Sequence, residues 1–220
     1  MHSFDKAYWE EHWDQASPLS GSTPANPYVL AQTHDLPRGR ALDAGCGTGA
    51  EALVLAADGW QVTGADISAA ALAVAADRTH VEDLSGSVTW LEADLTHWTP
   101  MESWDLVMTN YAHPAMPQLA FYDHIATWVA PGGTLLIVGH LHEPAPAPSA
   151  AAAEHDHHPP HEATVTLADI IAGFDTALWT VDAGETHTRS MGGHGVQLRD
   201  VVVRATRRAV TILASPPAHP

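Results

Sequence analysis

The sequence predicts an α/β protein with a mostly parallel sheet and helices on both faces. The first indication is that short apolar segments alternate with amphipathic segments through residues 40–140, as strands alternate with helices in such sheets. The second is a pair of consecutive strand-like segments at 179–188 and 197–204, joined by a glycine-rich turn at 192–195. Two adjacent late strands indicate an antiparallel hairpin at one edge of the sheet.

The repeating pattern begins with two strand–helix units. Residues 40–44 form a short apolar strand that ends in a glycine-rich turn, and residues 50–58 have the composition of a helix. A second strand is predicted at 61–66. Ser68 is a suitable N-cap for the alanine-rich helix predicted at 69–78, because its hydroxyl can accept a hydrogen bond from a free backbone N–H.

The pattern continues with three more strands and one helix. Strands are predicted at 88–92 and 104–110, and a helix at 117–130. The apolar face of this helix is predicted to consist of Leu119, Tyr122, Ile125 and Val129. A turn at 131–133 precedes the segment 134–139, which is apolar on both faces and is therefore predicted to be a central strand.

The amino-acid composition changes after this strand. Residues 143–163 are rich in proline, alanine and histidine and have no periodicity, so we expect a long loop insertion. Thr166 and Asp169 then have the spacing of a helix start. We expect residues 1–220 to form a single domain, with an N-terminal helical lid within residues 1–38.

The composition excludes several classes of protein. Apolar residues make up 45% of the chain and charged residues 16%, as in globular proteins. The net charge of -17 leaves few cations for phosphates or anionic lipids, so we expect no nucleic-acid partner and no membrane partner. The single cysteine, Cys46, permits no internal disulfide, and the start of the chain lacks a secretion signal. We therefore expect a cytoplasmic protein.

A glycine-rich loop, Asp43-Ala-Gly-Cys-Gly-Thr-Gly49, follows the first strand and opens the first helix of this repeat. Glycines let the backbone turn tightly and let a ligand approach closely, and a helix N-terminus offers free N–H groups. Asp66 ends the second strand, where a carboxylate can accept both hydroxyls of a ribose. The loop indicates a nucleotide-type cofactor, and an ordinary strand–helix turn is the plain alternative.

The loop has the spacing G-x-G-x-G, not the G-x-G-x-x-G of dinucleotide sites. The segment LDAGCGTG resembles the first motif of the class I S-adenosylmethionine-dependent methyltransferases, and GADIS, EADLTHW and PGGTLLIVG resemble three further motifs in the same order. The resemblance covers about residues 40–140. It implies a Rossmann-like, doubly wound sheet of about seven strands whose last strand is antiparallel. It also implies methyl transfer from S-adenosyl-L-methionine to an O, N or S nucleophile, giving S-adenosylhomocysteine.

The segment after the fourth strand indicates which class of molecule accepts the methyl group. It reads Asn-Tyr-Ala-His-Pro over residues 110–114, without the paired prolines of enzymes in this family that methylate bases or amide side chains. With the acidic charge, this favours a small-molecule acceptor. In its compact length the chain resembles the bacterial tellurite-resistance and thiopurine-methylating types.

The resemblance assigns one group of cofactor contacts to the glycine-rich loop. Gly45, Gly47 and Gly49 would pass close to the methionine part of the cofactor. Cys46 lies among these glycines, and Asp43 would support the loop from below.

A second group follows the next three strands. Asp66 would bind the ribose and Ile67 would pack on the adenine. Asp94 and Leu95 would face the adenine amino group, and Asn110 would lie near the methionine amine.

Aromatic residues indicate where a lid and a substrate site could be. Tyr8, Trp9 and Trp13 fall on one side of a predicted N-terminal helix, which could cover the cofactor and exclude water or simply pack against the sheet. Tyr28 is a candidate neighbour of the methionine carboxylate or a plain loop aromatic. Tyr111 follows the fourth strand and is a candidate substrate contact.

His113 and His140 follow the fourth and fifth strands, at the sheet edge where ligands bind in such folds. Either could remove a proton from the acceptor, or could be a loop histidine without a role in catalysis. A nucleophile that is already ionised would need positioning and no base.

Two other functions remain open. A nicotinamide-dependent oxidoreductase is disfavoured by the glycine spacing. A non-catalytic cofactor-binding or metal-handling protein would use the histidine-rich loop, although proline and alanine give metal ligands little rigidity. Its candidate ligands are His140, His142, His155, His157, His158 and His161. We expect no bound metal.

Overall fold

The structure is a computed structural model that describes residues 4–15, 24–141, 164–191 and 196–209. In this part of the chain, eight strands form one sheet. They are β1 (Arg40–Ala44), β2 (Gln61–Asp66), β3 (Val88–Glu92), β4 (Trp104–Asn110), β5 (Val129–Leu141), β6 (Thr164–Val165), β7 (Trp179–Met191) and β8 (Val196–Arg207). The helices are α1 (Lys6–Asp14), α2 (Pro27–Thr33), α3 (Ala50–Ala57), α4 (Ala69–Val81), α5 (Gln118–Ala126) and α6 (Leu167–Ala172).

The strands run in the order β3-β2-β1-β4-β5-β8-β7, with β6 paired to β5. Pairs within β1–β6 are parallel, whereas β8 is antiparallel to both β5 and β7. This arrangement confirms the predicted α/β class and the edge hairpin. Because the order reverses between β1 and β4, a crevice opens beyond their carboxyl ends, where open sheets of this kind bind ligands.

Most predicted elements match the structure closely. β1, β2, β3 and β4 have the predicted bounds, and the Ser68 side chain caps α4 by accepting a hydrogen bond of 3.2 Å from the backbone N–H of Ala71. The Thr166 hydroxyl caps α6 through the N–H of Asp169 at 3.1 Å. These agreements have local causes, since strand periodicity and caps are set by neighbouring residues.

The segment around α5 differs from the prediction. The helix ends at Ala126 instead of 130, because Val129 already pairs with Trp104 in the sheet and the strand then continues through 131–133. Leu119 is 39% exposed, and Phe121 takes its place on the buried face. A sequence periodicity of three and four fits either face here, and packing against the sheet selects the one with Phe121.

Two further elements were not predicted. α2 begins with Pro27 in its first turn and is capped by Asn26, whose side chain accepts the Tyr28 N–H at 3.0 Å. β6 adds two residues beside β5. The predicted loop at 143–163 and the hairpin turn at 192–195 lie outside the described residues. Among the described residues, no helix is long and apolar enough to cross a membrane.

Candidate active site

A cavity of about 810 Å³ lies beyond the carboxyl ends of β1, β2, β3 and β4 and is covered on one side by α1. Twelve residues named in the sequence analysis line it. They are Trp9, Trp13, Gly45, Cys46, Gly47, Asp66, Ile67, Asp94, Leu95, Asn110, Tyr111 and His113. The fold therefore brings the glycine-rich loop, the acidic residues after β2 and β3, and one candidate base to a single space.

The glycine-rich loop needs glycine for conformation and for space. Gly45 and Gly47 have φ angles of 83° and 50°, in the left-handed region that L side chains rarely adopt. A Cβ atom on Gly45 would clash with Ala112, and one on Gly47 would lie 3.2 Å from Trp13. Burial raises the pKa of the neighbouring Cys46 thiol, which therefore stays protonated in the wall of the cavity.

Asp66 joins this loop to the end of β2. Its carboxylate accepts hydrogen bonds from the backbone N–H of Gly47 at 2.8 Å and of Ser68 at 2.9 Å. Burial raises its pKa. A carboxylate has about four acceptor positions, so the backbone contacts leave capacity for a ligand's hydroxyl.

Glu51 and Asn110 form an acceptor pair on another wall of the cavity. The Asn110 side-chain amide donates to Glu51 Oε1 at 2.6 Å, and the Asn26 backbone N–H donates to the same oxygen at 3.1 Å. Burial raises the pKa of Glu51. Asn110 Oδ1 is buried and has no hydrogen-bond partner among the described residues. A ligand that donates hydrogen bonds, such as an ammonium group, would complete this pair.

The wall after β3 combines an apolar side chain with an exposed acid. Leu95 is buried, and Ile67 lines the same cavity. Asp94 accepts hydrogen bonds from the N–H and the hydroxyl of Thr96 at 2.9 and 2.6 Å. Burial alone raises the pKa of Asp94, but these hydrogen bonds and His97 together lower it, so the carboxylate is ionised at neutral pH.

Helix α1 covers the cavity and has no buried residue of its own. Trp9 and Trp13 line the cavity, and the Trp9 indole N–H donates to the His113 carbonyl at 3.3 Å. Glu10 attaches the helix to α4, since its carboxylate accepts from the backbone N–H groups of Ala69 and Ala70 at 3.0 and 3.1 Å. The helix is thus held by polar contacts over the cavity and does not pack into the core.

His113 lines the cavity, and burial lowers its pKa below that of an ordinary imidazole. Its Nδ1 lies 3.5 Å from Oε1 of Gln118, the first residue of α5. The ring of His140 is stacked on it with 5.6 Å between centroids. Because the neutral form is favoured, His113 can accept a proton near pH 7.

His140 does not line this cavity, although sequence analysis made it an equal candidate. Its ring is stacked behind Tyr111 with 4.5 Å between centroids, and its Nδ1 lies 4.0 Å from the buried carboxylate of Asp200 on β8. Tyr111 and His113 line the cavity, and both rings are stacked on His140; Tyr111 has a φ of 54° directly after β4. This φ is uncommon for a residue other than glycine and re-aims the side chain.

Four other predicted site residues lie away from the cavity. Asp43 is buried in β1 just before the loop, and its supporting role stays a prediction. Gly49 gives room to Trp90 and Ala75, so its lack of a side chain serves the packing of the helix on the sheet. Tyr8 packs on Phe4 and Trp9 instead of facing the cavity.

Tyr28 is the fourth predicted site residue that lies away from the cavity. It lies in α2, not in a loop, and its ring is stacked on His187 with 4.5 Å between centroids. Its hydroxyl donates to Asp200 at 3.5 Å, so it is not a lining residue beside the expected methionine carboxylate.

Several site residues were missed by sequence reasoning. Glu51 and Glu10 look like ordinary helix-surface acids in the sequence, and Gln118 like a polar helix start. Each acquires its role from a partner more than four residues away, so no local signal distinguishes it.

The described residues contain no group of three or more histidine, cysteine, aspartate or glutamate side chains placed to hold a metal ion. Five of the six histidines proposed as ligands, His142, His155, His157, His158 and His161, lie outside the described residues. The metal alternative therefore stays a prediction.

Comparisons with known proteins agree with this geometry. Residues 41–133 match the family described as "Methyltransferase domain". The chain is 34% identical over 102 residues to a probable thiol methyltransferase of Arabidopsis thaliana, covering 45% of each chain. It is 28% identical over 169 residues to a thiocyanate methyltransferase of Brassica oleracea, covering 74% of this chain and 70% of the relative.

A third relative is a trans-aconitate 2-methyltransferase of Streptomyces avermitilis, 34% identical over 134 residues, with 56% of this chain and 49% of the relative covered. The chain thus spans about half the length of two of these three curated relatives.

Solved structures show the same fold. A methyltransferase from Thiobacillus denitrificans in complex with S-adenosylhomocysteine has a TM-score of 0.63 at 18% identity, over 84% of this chain and 93% of that one. TehB from Haemophilus influenzae has a TM-score of 0.64 at 15% identity, over 92% of this chain and 66% of that one.

The strand order, the glycine-rich loop and the acidic residue after β2 define the class I S-adenosylmethionine-dependent methyltransferase fold. Residues 41–133 match a methyltransferase domain, which agrees with this fold. The family resemblance found in the four sequence motifs is confirmed. The narrower resemblance to tellurite-resistance and thiopurine-methylating enzymes stays a prediction.

Proposed function

We propose that this protein transfers a methyl group from S-adenosyl-L-methionine to the sulfur of a small thiol or a thiocyanate-like anion. One observation carries the proposal. A single cavity is lined both by the loop and acids suited to the cofactor and by aromatic rings around His113.

The cavity walls fit the cofactor. A Cβ on Gly45 would clash with Ala112 and one on Gly47 would press on Trp13, so the loop can pass this close to the cavity wall only with glycine at both positions. Asn110 Oδ1 and the neighbouring Glu51 would accept hydrogen bonds from the methionine ammonium, and Asp66 would accept them from the ribose. When bound, S-adenosylmethionine supplies a methyl group activated by a sulfonium.

The remaining cofactor contacts are proposed for residues that line the other walls of the cavity. Ile67 and Leu95 would pack on the adenine, and Asp94 would face its amino group. Trp9 and Trp13 would close over the cofactor from α1 and exclude water. Their electron-rich faces are suited to a sulfonium cation.

The electrostatics of the cavity favour sulfur over a carboxylate acceptor. Among the described lining residues, Lys6 is the only lysine or arginine, and it pairs with Glu92 and with Glu10. A tricarboxylate such as trans-aconitate would need cations to replace its lost hydration. A thiol enters without charge and needs no such partners, and thiocyanate carries one negative charge where trans-aconitate carries three. Both sulfur acceptors occur in the names of relatives of this chain.

The acceptor assay is a direct test. Purified protein is incubated with S-adenosylmethionine and, separately, 2-mercaptoethanol, thiocyanate or trans-aconitate, and S-adenosylhomocysteine is quantified. We expect product with at least one sulfur acceptor and a kcat/KM for it at least tenfold above that for trans-aconitate. Equal or faster turnover of trans-aconitate would reject the sulfur assignment.

The alternative of a non-catalytic or metal-handling protein is tested in the same assay. That function predicts binding of S-adenosylhomocysteine without turnover of any acceptor and a response to EDTA. We further propose that residues 1–220 act as a single domain in the cytoplasm, without a nucleic-acid or membrane partner, in keeping with the net charge of -17.

A further inference from the structure

We propose that Gln118 is a positioning residue that holds the His113 imidazole with its proton on Nδ1, so that Nε2 accepts the proton of a thiol acceptor. The inference rests on the proposed function for the identity of the acceptor. The tautomer of the His113 imidazole follows from contacts that do not depend on which acceptor is methylated.

The orientation of the Gln118 amide is determined by a neighbouring carbonyl group. Gln118 is buried, and its Nε2 donates a hydrogen bond of 3.0 Å to the backbone carbonyl of Ala112. That carbonyl oxygen can only accept, so the reversed amide would place two acceptors against each other. The amide oxygen Oε1 therefore points toward His113.

The tautomer of His113 follows from this orientation. Nδ1 lies 3.5 Å from Gln118 Oε1, which has no hydrogen to donate, so the favourable partner is an Nδ1–H. A neutral imidazole with a proton on Nδ1 has its lone pair on Nε2. His113 lines the cavity whereas Gln118 does not, so the edge held by Gln118 is on the protein side of the ring.

The surroundings keep the ring neutral and in place. Phe4 lies 5.8 Å away between centroids and carries no charge, and on α5 burial raises the pKa of Tyr122, which stays protonated. On β5 the stacked His140 is the nearest titratable ring, and Asp200 on β8 lies behind it. Burial of His113 lowers its pKa, so the base form is available at neutral pH.

With His113 as the base, each bond broken in the methyl transfer to a thiol is matched by a bond formed. The S–H bond of the thiol breaks and its proton goes to His113 Nε2. The electron pair left on the thiol sulfur forms the new bond to the methyl carbon, and the sulfonium sulfur keeps the pair of the broken bond. The imidazolium afterwards returns its proton to solvent.

The test compares two thiols that differ in their need for a base. 2-Mercaptoethanol is mostly protonated at pH 7, whereas 4-nitrothiophenol is already ionised there. In Gln118→Met we expect kcat for 2-mercaptoethanol to fall at least tenfold at pH 7, within the range of general base effects. We expect kcat for 4-nitrothiophenol, and KM for both thiols, to stay within twofold.

The pH profile and a matched control separate positioning from structure. The deficit of Gln118→Met with 2-mercaptoethanol should shrink as pH rises, because a growing fraction of the thiol is then ionised without a base. Gln32→Met removes a glutamine amide that contacts Glu185 outside the cavity and should match the wild type. Equal losses with both thiols, or no loss with either, would overturn the proposal.

A second measurement requires no Gln118 variant. Long-range ¹H–¹⁵N spectra of the wild-type imidazoles at pH 7.5 report the tautomer of each histidine, and the His113 signals are identified by their loss in His113→Gln. We expect the Nδ1–H form, and an Nε2–H form would refute the proposal. If the wild type methylates neither thiol, the proposed function fails, while the spectrum still tests the His113 tautomer that the contact with Gln118 predicts.

Discussion

The backbone N–H of Gly47 donates a hydrogen bond of 2.8 Å to the carboxylate of Asp66, which joins the glycine-rich loop to the end of β2. The same carboxylate accepts from the N–H of Ser68 at the start of α4. Asp66 therefore holds two backbone segments around the place proposed for the ribose, and loop shape and ribose binding depend on one side chain.

Asp66→Ala should weaken S-adenosylhomocysteine binding by more than tenfold. The variant loses the proposed acceptor of the ribose hydroxyls and the support of Gly47, and a hydrogen bond to a charged group contributes roughly 1.5–3 kcal/mol. Isothermal titration calorimetry measures the change. NADH should show no comparable binding to the wild type, and unchanged affinity for S-adenosylhomocysteine in the variant would remove Asp66 from the site.

Gly47→Val should abolish cofactor binding and leave the fold intact. The φ of 50° disfavours a β-branched side chain, and the added atoms would enter the space between the loop and Trp13. Binding is followed by calorimetry and folding by circular dichroism. Gly86→Val is the matched control, because a Cβ there meets nothing within 4 Å. Normal binding by a folded Gly47→Val would show that the loop is not the cofactor site.

Glu10→Gln should loosen the cover formed by α1. The hydrogen bonds from Ser68, Ala69 and Ala70, with Lys6 nearby, together lower the pKa of Glu10 although burial alone raises it. A negative charge at a helix N-terminus contributes about 0.3–1 kcal/mol. We expect S-adenosylhomocysteine to dissociate about two- to fivefold faster in stopped-flow measurements.

The control for this prediction is Glu11→Gln. Glu11 is exposed, and its carboxylate accepts a hydrogen bond from the side chain of Gln15, the residue that follows α1. S-adenosylhomocysteine should dissociate from Glu11→Gln at the wild-type rate. Equal acceleration in both variants would mean that loss of charge, and not the contact with α4, is responsible.

Asp43→Asn should stabilise the protein at neutral pH. Burial, followed by the charges of Glu51 and Asp66, raises the pKa of Asp43 well above its ordinary value. The folded state then binds a proton that the unfolded state has released, so this residue's contribution to stability is present at low pH and is lost as pH rises. Asparagine avoids the buried charge, and its advantage should therefore grow with pH.

Thermal unfolding at pH 5 and pH 8 measures this effect. The rise in Tm from Asp43→Asn should be larger at pH 8. Asp77→Asn, at an exposed position on α4, should change Tm little at either pH. A Tm gain that is larger at pH 5 would contradict the assigned direction of the pKa shift.

The sequence by itself determined the local elements and the position of the loop. Strand periodicity, the Ser68 cap and the glycine spacing depend on residues close together in the chain, and the structure contains them as predicted. The sequence also placed His113 after β4, at the edge where ligands bind in such sheets.

Only the tertiary structure decided which of these residues face the cavity and with what partners. His113 and His140 are equivalent by position, yet His113 lines the cavity whereas His140 is stacked behind the lining rings of Tyr111 and His113. Gln118 contacts Ala112 and His113 because the turn between β4 and the start of α5 brings them together. Such contacts arise where separate elements pack, and neither periodicity nor spacing within one element contains that information.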